Sequence, residues 1–334
     1  MKIILLISLA ISFFTTFFLL PSWISRAKKA GLSGKDMNKI EQPEAAESGG
    51  IMVITGFILG VLYYIAIKTF YLNSMENIIE IFALLAVIVL ATLIGLIDDI
   101  FGWKIGLNKK TRIFFLLLLA VPLSVINAGE SIVSIPFVGQ IDLGLLFPLL
   151  IIPIGVLGST ITYNFLAGYN GLEARQGILI LFALSIVTYY LGETWIALIS
   201  LIMASSLIAF IFYNKYPAKV FPGNTMTYAV GSLIAIIAII GNIEKIAVFF
   251  FIPYIIETIL KLRGKLKVES FARVNDDNSL EMPSDKIYGL EHAAIKIIKK
   301  IKGKCYEKNV VNVINIFQIA IIILGFIIFR NNIF

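Results

Sequence analysis

Asp98 and Asp99 stand side by side straight after an apolar run that ends in Leu96-Ile97. Adjacent carboxylates repel each other, and at a helix C-terminus the dipole disfavours negative charge as well. The arrangement costs stability unless a cation lies near. Two sources are at hand: Mg²⁺, or the basic cluster Lys104, Lys109, Lys110 and Arg112. A double Asp suits Mg²⁺ or phosphate chemistry. A second polar stretch, Asn164 to Gln176, separates two apolar runs and holds Asn164, Gly168, Asn170, Gly171, Glu173 and Arg175. Its neutral oxygens and flexible glycines suit an anionic, metal-bound ligand; the plain alternative is a polar turn. In Tyr216–Thr225, Pro222-Gly223 makes a turn that presents Asn224 at the mouth of the next apolar run. There the alternative is a helix cap by Asn224 or Thr225. Phe221, beside the turn, can stack on a base or anchor at an interface.

Two further loops carry polar groups. The first runs from Gly31-Leu-Ser-Gly-Lys-Asp-Met-Asn-Lys39 through Pro43 to Gly50, and its Gly and Pro forbid a long helix. Glu47 lies just before the second apolar run, where a helix N-terminus favours a carboxylate and where capping is the simpler role. The last and longest loop holds Lys261, Arg263, Lys265, Lys267 and Arg273, then a turn at Asp276-Asp277-Asn278. An amphipathic helix is predicted from Lys286 to Lys302, with Ile287, Leu290, Ala294, Ile297, Ile298 and Ile301 on one side. Its lysines suit the anionic surface of a membrane. His292 is the only histidine, and it is read as structural rather than catalytic.

The elements that must position these loops are membrane helices. The 334 residues are 59% hydrophobic and 15% charged, more apolar surface than a soluble domain can hide. Ten runs are long enough to cross a bilayer: about 3–23, 51–71, 78–97, 112–127, 143–163, 177–192, 194–213, 226–241, 244–260 and 311–329. The first is too long for a signal-peptide core and no A-x-A site follows it, so a retained helix is expected. Even-numbered gaps hold only Lys2, Lys68, Lys245 and Arg330, while the odd-numbered loops hold the other twenty-four cations. By the positive-inside rule both termini then face outside, with five cytoplasmic loops at about 24–50, 98–111, 164–176, 214–225 and 261–310. The net charge of +7 follows from this orientation and from anionic partners near the membrane, not from nucleic acid. Cys305 is alone on the cytoplasmic side, so no disulfide is expected. A channel or transporter needs polar groups along its path, whereas these runs carry almost none beyond Glu257, near a helix end.

The segments GLSGKDMNK with Glu47 eight residues on, GLIDD, NFLAGYNGLEA, YNKYPAKVFPGNT and RVNDDNSLEMP, in this order between ten apolar runs, resemble the polyprenyl-phosphate N-acetylhexosamine-1-phosphate transferases. The nearest branch looks like the archaeal and eukaryotic dolichyl-phosphate N-acetylglucosamine-phosphotransferases. The resemblance implies one all-α polytopic membrane domain spanning 1–334, with its active site on the cytoplasmic side of the cell membrane. It also implies the reaction. A polyprenyl phosphate attacks the β-phosphorus of a UDP-N-acetylhexosamine, UMP leaves, and a lipid-linked pyrophosphoryl sugar forms, as in the first step of lipid-linked glycan assembly for N-glycosylation.

Carried over by motif, Asn164 matches a ligand of Mg²⁺ (with Mn²⁺ as substitute), and Asp98 and Asp99 match the family's Asp pair near metal and acceptor phosphate. Asn170, Gly168 and Phe221 match uracil contacts, with Met37 beside them and Lys39 in the same segment. Glu47 matches an acidic active-site residue. The phosphate-contacting lysine falls on Arg112 when the following helix is aligned by Val121-Pro122-Leu123, with Lys109 and Lys110 as rivals. Two departures stand out. The family's metal-binding Asp in the fourth loop is Asn224 here. The eukaryotic His-x-Arg segment falls near Glu269–Phe271, which lacks it, leaving Lys267 and Arg273 as pyrophosphate contacts. Pro253 is expected to kink the ninth run, where the family has a bent helix beside the polyprenyl groove. The alternatives are an undecaprenyl-phosphate transferase of cell-wall or O-antigen synthesis, disfavoured by Asn170 where wall-building relatives favour Asp, and a lipid-sugar transporter. A homodimer is one assembly left open. The Ile- and Lys-rich composition with this loop set points to archaeal N-glycan assembly.

Overall fold

The computed structural model describes residues 3–102, 106–135 and 139–333. Lys2 of the charge count, Lys104 of the basic cluster and the last residue, Phe334, lie outside the described residues. The chain is mostly helical. In order come α1 (Ile3–Lys29), α2 (Gly50–Ala66), α3 (Ile78–Ile100), α4 (Lys109–Leu118), α5 (Val121–Val125), α6 (Ile152–Phe165) and α7 (Leu172–Tyr190). There follow α8 (Thr194–Asn214), α9 (Gly223–Ile240), α10 (Glu244–Phe250), α11 (Ile252–Arg263), α12 (Leu290–Lys302), α13 (Glu307–Ile328) and the short α14 (Arg330–Ile333). Among the described residues, eight helices are long and apolar enough to cross a membrane.

The two remaining apolar runs differ from the expected single helices. Run 112–127 is split into α4 and α5, with Pro122 in the first turn of α5. Run 244–260 is split into α10 and α11 at Phe251, with Pro253 in the first turn of α11. Proline tolerates a helix's first turn but not its interior, so each run restarts there. The kink expected at Pro253 is thus a full break.

Helix α9 is the central post, buried along nearly its whole length against α3, α6, α2 and α10. A helix apolar all round belongs in such a place. Close approach depends on small residues. A Cβ on Gly95 of α3 would sit 2.5 Å from the Asn224 carbonyl oxygen, so only glycine lets α3 lie this near the start of α9. Buried hydroxyls tie neighbouring helices together: Ser12 donates to the Ile202 carbonyl at 2.9 Å, Ser206 to the Val53 carbonyl at 2.6 Å, and Thr160 meets Ser232 at 2.8 Å.

Strands are few and lie between helices. The first loop is a hairpin of β1 (Ser33–Lys35) and β2 (Glu44–Ala46); a second pairs β3 (Ile132–Ile135) with β4 (Gly139–Asp142), and a third β5 (Arg273–Val274) with β6 (Leu280–Glu281). The turn expected at 276–278 is the tip of the third. The predicted amphipathic helix begins later than Lys286, at Leu290, and its face is rotated. Ala294, Ile295 and Ile298 are buried with Glu291 and His292, whereas Ile297 and Ile301 are exposed.

Candidate active site at the helix ends around Asp98 and Asp99

The C-terminal end of α3 meets the N-terminal end of α9, and this junction accounts for the paired aspartates. The two carboxylates part company. Asp99 accepts the Asn224 backbone N–H on Oδ1 at 2.7 Å. Its Oδ2 accepts the Thr225 N–H at 3.2 Å, the Thr225 hydroxyl at 2.6 Å and the Ser48 hydroxyl at 3.0 Å. It therefore sits on the first turn of α9, where unpaired N–H groups and the dipole favour an anion. The cost at the end of its own helix is offset by the start of another. Gly223 makes the approach feasible: its φ is +67°, and a Cβ there would lie 2.1 Å from Asp99 Oδ2.

Asp98 turns the other way. Its Oδ1 accepts the Leu107 N–H at 2.7 Å and Arg112 Nη2 at 3.1 Å. Its Oδ2 accepts the Asn224 amide at 2.8 Å and the Tyr228 hydroxyl at 2.9 Å, and lies 2.9 Å from Arg112 Nη2. Arg112 is therefore the cation expected beside the pair. Lys109 and Lys110, its rivals, are exposed at the start of α4. Arg112 Nε is buried and has no hydrogen-bond partner, so this side chain keeps one donor unused beside the pair. Neither expected cap of α9 forms: the Asn224 side chain is spent on Asp98 and the Thr225 hydroxyl on Asp99.

Ser48 and Glu47 join this centre from the end of the first loop. Ser48 holds a left-handed backbone (φ 55°) and is buried. Glu47 is anchored through its backbone, its carbonyl accepting Trp23 Nε1 at 2.9 Å. Burial, and then the charge of Asp99, push its carboxyl up to about 7. Asn164, at the end of α6, accepts the Thr227 hydroxyl at 2.8 Å, which brings it to the same first turns of α9.

The remaining candidates gather elsewhere. Met37, Lys39, Lys267 and Arg273 line one cavity of about 660 Å³, together with Phe271. The first loop bridges the two places, with Met37, Lys39, Ile40 and Gln42 lining the cavity and Ser48 on Asp99. Lys39 is buried and ion-paired with Asp36 and, at 3.0 Å, with Glu307. Asn170 belongs to the same network: its amide donates to Asp36 at 2.9 Å and its backbone N–H to Glu307 at 2.7 Å. Gly168, with φ +98°, donates its N–H to Glu173 at 2.9 Å and packs against Phe271. Phe221 is bound through its backbone to Ala46 (2.7 Å) and Gly49 (2.9 Å), on the Asp99 side of the first loop.

Several participants escaped the sequence reading. Tyr228 follows Asn224 by one helical turn, so i,i+4 spacing would have placed both on one face. Ser48, Asp36, Asn38, Glu307 and Phe271 carry no local signal, because each is defined by a partner far away in the chain. His292 lies outside both places, buried in α12.

A profile for glycosyl transferase family 4 matches residues 80–242. The chain is 33% identical over 312 residues to a Sulfolobus acidocaldarius protein, covering 93% of this chain and 92% of the relative. It is 37% identical over 295 residues to one from Saccharolobus solfataricus, covering 88% of each. Both relatives are provisionally named UDP-N-acetylglucosamine–dolichyl-phosphate N-acetylglucosaminephosphotransferase. A Dictyostelium discoideum protein with that name is 29% identical over 281 residues, covering 72% of this chain and 67% of its own length. The chain belongs to glycosyl transferase family 4 and is a multi-pass membrane protein.

Proposed function

We propose that this protein transfers N-acetylglucosamine-1-phosphate from UDP-N-acetylglucosamine to a dolichyl-type polyprenyl phosphate, releasing UMP, as the first step of lipid-linked glycan assembly. The observation that carries the reading is the convergence of Asp98, Asp99, Arg112, Asn164 and Asn224 on the start of α9, joined by the first loop to a cavity bearing Lys39, Lys267 and Arg273. An acceptor phosphate oxygen forms the new bond to the β-phosphorus, and the bond from that phosphorus to the bridging oxygen breaks, leaving UMP. The acceptor is already anionic, so charge repulsion and alignment are the main barriers. Arg112, with its unused Nε donor, faces the first of these. Lys267 and Arg273 offer charge to the diphosphate from the cavity.

The donor set fits Mg²⁺. The atoms at the junction are hard oxygens, and Glu47 and Asp99 crowd two carboxylates together with Arg112 engaged on Asp98 instead. Asn164 and Asn224 would hold the ion with their amide oxygens, alongside the Asp pair. When bound, it would neutralise phosphate charge as the new bond forms.

Contacts at the two ends of α9 support ten crossings. In the first turn of α4, Arg112 meets Asp98, and in the loop after α5 the Glu130 N–H donates to Asn242 Oδ1 at 3.0 Å, past the far end of α9. The α10–α11 unit begins just after that far end, and Ser270, seven residues past the end of α11, accepts the Tyr169 hydroxyl through its carbonyl at 3.2 Å. With ten crossings both termini would share the far side, and the cation-rich loops support an active site on the cytoplasmic side. Purified protein, a short polyprenyl phosphate and a panel of UDP-sugars test the reaction. UMP release with UDP-N-acetylglucosamine, dependent on the lipid, is expected; no release with any UDP-sugar would reject it.

A further inference from the structure

Lys261, Glu257 and Glu291 form a buried cluster of ionisable side chains outside the two places described so far. Lys261 stands in the last turn of α11, one turn after Glu257, and its ammonium lies 3.5 Å from Glu257 Oε1. Glu257 Oε2 accepts the Leu290 N–H at 2.6 Å, which ties the start of α12 to α11. Glu291 packs against the same carboxylate: a Cβ on Gly289 would meet Glu291 Oε2 at 2.5 Å and Glu257 Oε1 at 3.1 Å. Burial, and then the charge of Glu257, push the Glu291 carboxyl well above the usual carboxylate range. It keeps its proton and leaves Glu257 as the charge partner of the ammonium.

The same ammonium reaches the segment that builds the cavity, where it donates to Ser270 Oγ. Ser270 stands midway between Lys267 and Arg273, and both of these line the cavity. Its neighbours Glu269 and Phe271 line it as well, while the Ser270 hydroxyl turns to Lys261 and its carbonyl accepts the Tyr169 hydroxyl at 3.2 Å. Two buried side chains thus pin the middle of this stretch, one from α11 and one from the turn after α6. Taking an ammonium and a carboxylate out of water is costly, and well-packed apolar side chains in their place often fold as well or better. Stability accounts poorly for the buried pair; the placement of Ser270 accounts for it well.

We propose that Lys261 is a positioning residue for donor binding: it holds Ser270 so that Lys267 and Arg273 face the diphosphate from fixed positions, and Glu257 holds Lys261. The inference rests on the reading of this cavity as the nucleotide-sugar site. It gives a role to two buried side chains that touch neither substrate nor the aspartate centre and act through the backbone of the cavity segment.

Kinetics with UDP-N-acetylglucosamine and binding of inorganic pyrophosphate, both on the purified full chain, test the role. Ser270→Ala deletes one hydroxyl and no charge. It is expected to raise the KM for the UDP-sugar roughly tenfold, the scale of one hydrogen bond to a charged group, and to weaken pyrophosphate similarly. Its kcat should stay within about twofold of the wild type, since only binding is lost. Ser270→Thr, which keeps the hydroxyl, should restore both. Lys261→Met together with Glu257→Gln removes the pair without stranding a buried charge, and should match Ser270→Ala. Adding Ser270→Ala to that pair should raise KM no further, because all three changes break one link. An unchanged KM in Ser270→Ala, a Thr variant no better than Ala, or effects that multiply in the combination overturns the positioning role. So does a Lys261/Glu257 variant that melts lower yet keeps the wild-type KM. Wild-type protein that releases no UMP from any UDP-sugar removes the underlying reading instead.

Discussion

Around Asp98 and Asp99 each carboxylate oxygen has fixed donors, most of them from α4 and the start of α9, whereas around the cavity Lys267 stands exposed on irregular chain and Arg273 exposed in the two-residue strand β5. The first region is positioned by α3, α4 and α9, whose packing leaves little freedom. The second is assembled from the first loop, the Gly168 turn and the stretch after α11, joined by buried polar pairs such as Lys39–Glu307 and Asn38–Gly168. The difference divides the work. Groups that must align with a reacting phosphorus belong on rigid elements, where small misplacements cost most. Groups that grip a donor molecule tolerate loops that close around it.

The largest effect should come from the rigid region. Asp99→Asn replaces one accepting oxygen by a donor facing N–H and O–H groups, and it removes the charge at the start of α9. Turnover should fall about a hundredfold or more while the protein still folds in detergent. Asp98→Asn should do the same, since it faces Arg112. Near-normal turnover in both variants would mean that the pair only fastens α3 to α9.

Arg112→Ala comes next. It removes the Asp98 contact at 2.9 Å and the unused Nε, so a loss of tenfold to about a hundredfold in kcat is expected. Lys109→Ala and Lys110→Ala should change kcat little, because both are exposed and neither reaches the pair. Equal losses in all three would make the cluster a diffuse field and erase the contrast with the cavity.

Asn224 sharpens the comparison from within the rigid region. Its amide nitrogen lies 2.8 Å from Asp98 Oδ2, so Asn224→Asp would set two carboxylates face to face unless a cation came between. The variant should reach half-maximal activity at a lower Mg²⁺ concentration and lose thermal stability without Mg²⁺. Asn224→Ala should raise the concentration needed. Unchanged titration midpoints in both, with altered melting alone, would reduce Asn224 to a fastener.

Much of the rigid region was legible in the sequence, because its clues are local. The double Asp after an apolar run, Pro222-Gly223 before Asn224 and the proline at 253 each dictate their own backbone. What stayed hidden is what depends on distant partners. Asp99 is stable because α9 begins beside it, and nothing near residue 99 says so. Lys39 looks like a free loop cation, yet Asp36 and Glu307 enclose it. Periodicity placed Ile297 and Ile301 on one side with Ala294 and Ile298, but the side buried in protein follows Glu291, Ala294, Ile295 and Ile298 and leaves Ile297 and Ile301 exposed. Hydrophobicity alone cannot choose between a stripe facing protein and one facing lipid.

The smallest effect lies outside both regions, in α12, and concerns stability rather than turnover. His292 is buried in α12, with Nδ1 accepting the Tyr288 N–H at 3.4 Å. Burial, and then the nearby Lys261 charge, lower its imidazole from 6.5 to about 4. A base whose folded value lies below its unfolded one takes up a proton more readily when unfolded. The stabilisation is therefore present above about 6.5 and is lost as the pH falls towards about 4, to a ceiling of about 3 kcal/mol. His292→Phe, which cannot be protonated, should melt less steeply with falling pH than the wild type between pH 6.5 and pH 4, while kcat at pH 7.5 stays close to normal. That pattern would locate acid sensitivity in α12 and leave both the aspartate centre and the cavity out of it. Parallel melting curves for wild type and variant across this window would sink the assignment. A large loss of kcat at pH 7.5 in a well-folded variant would instead tie α12 to the chemistry and weaken the division between the two regions.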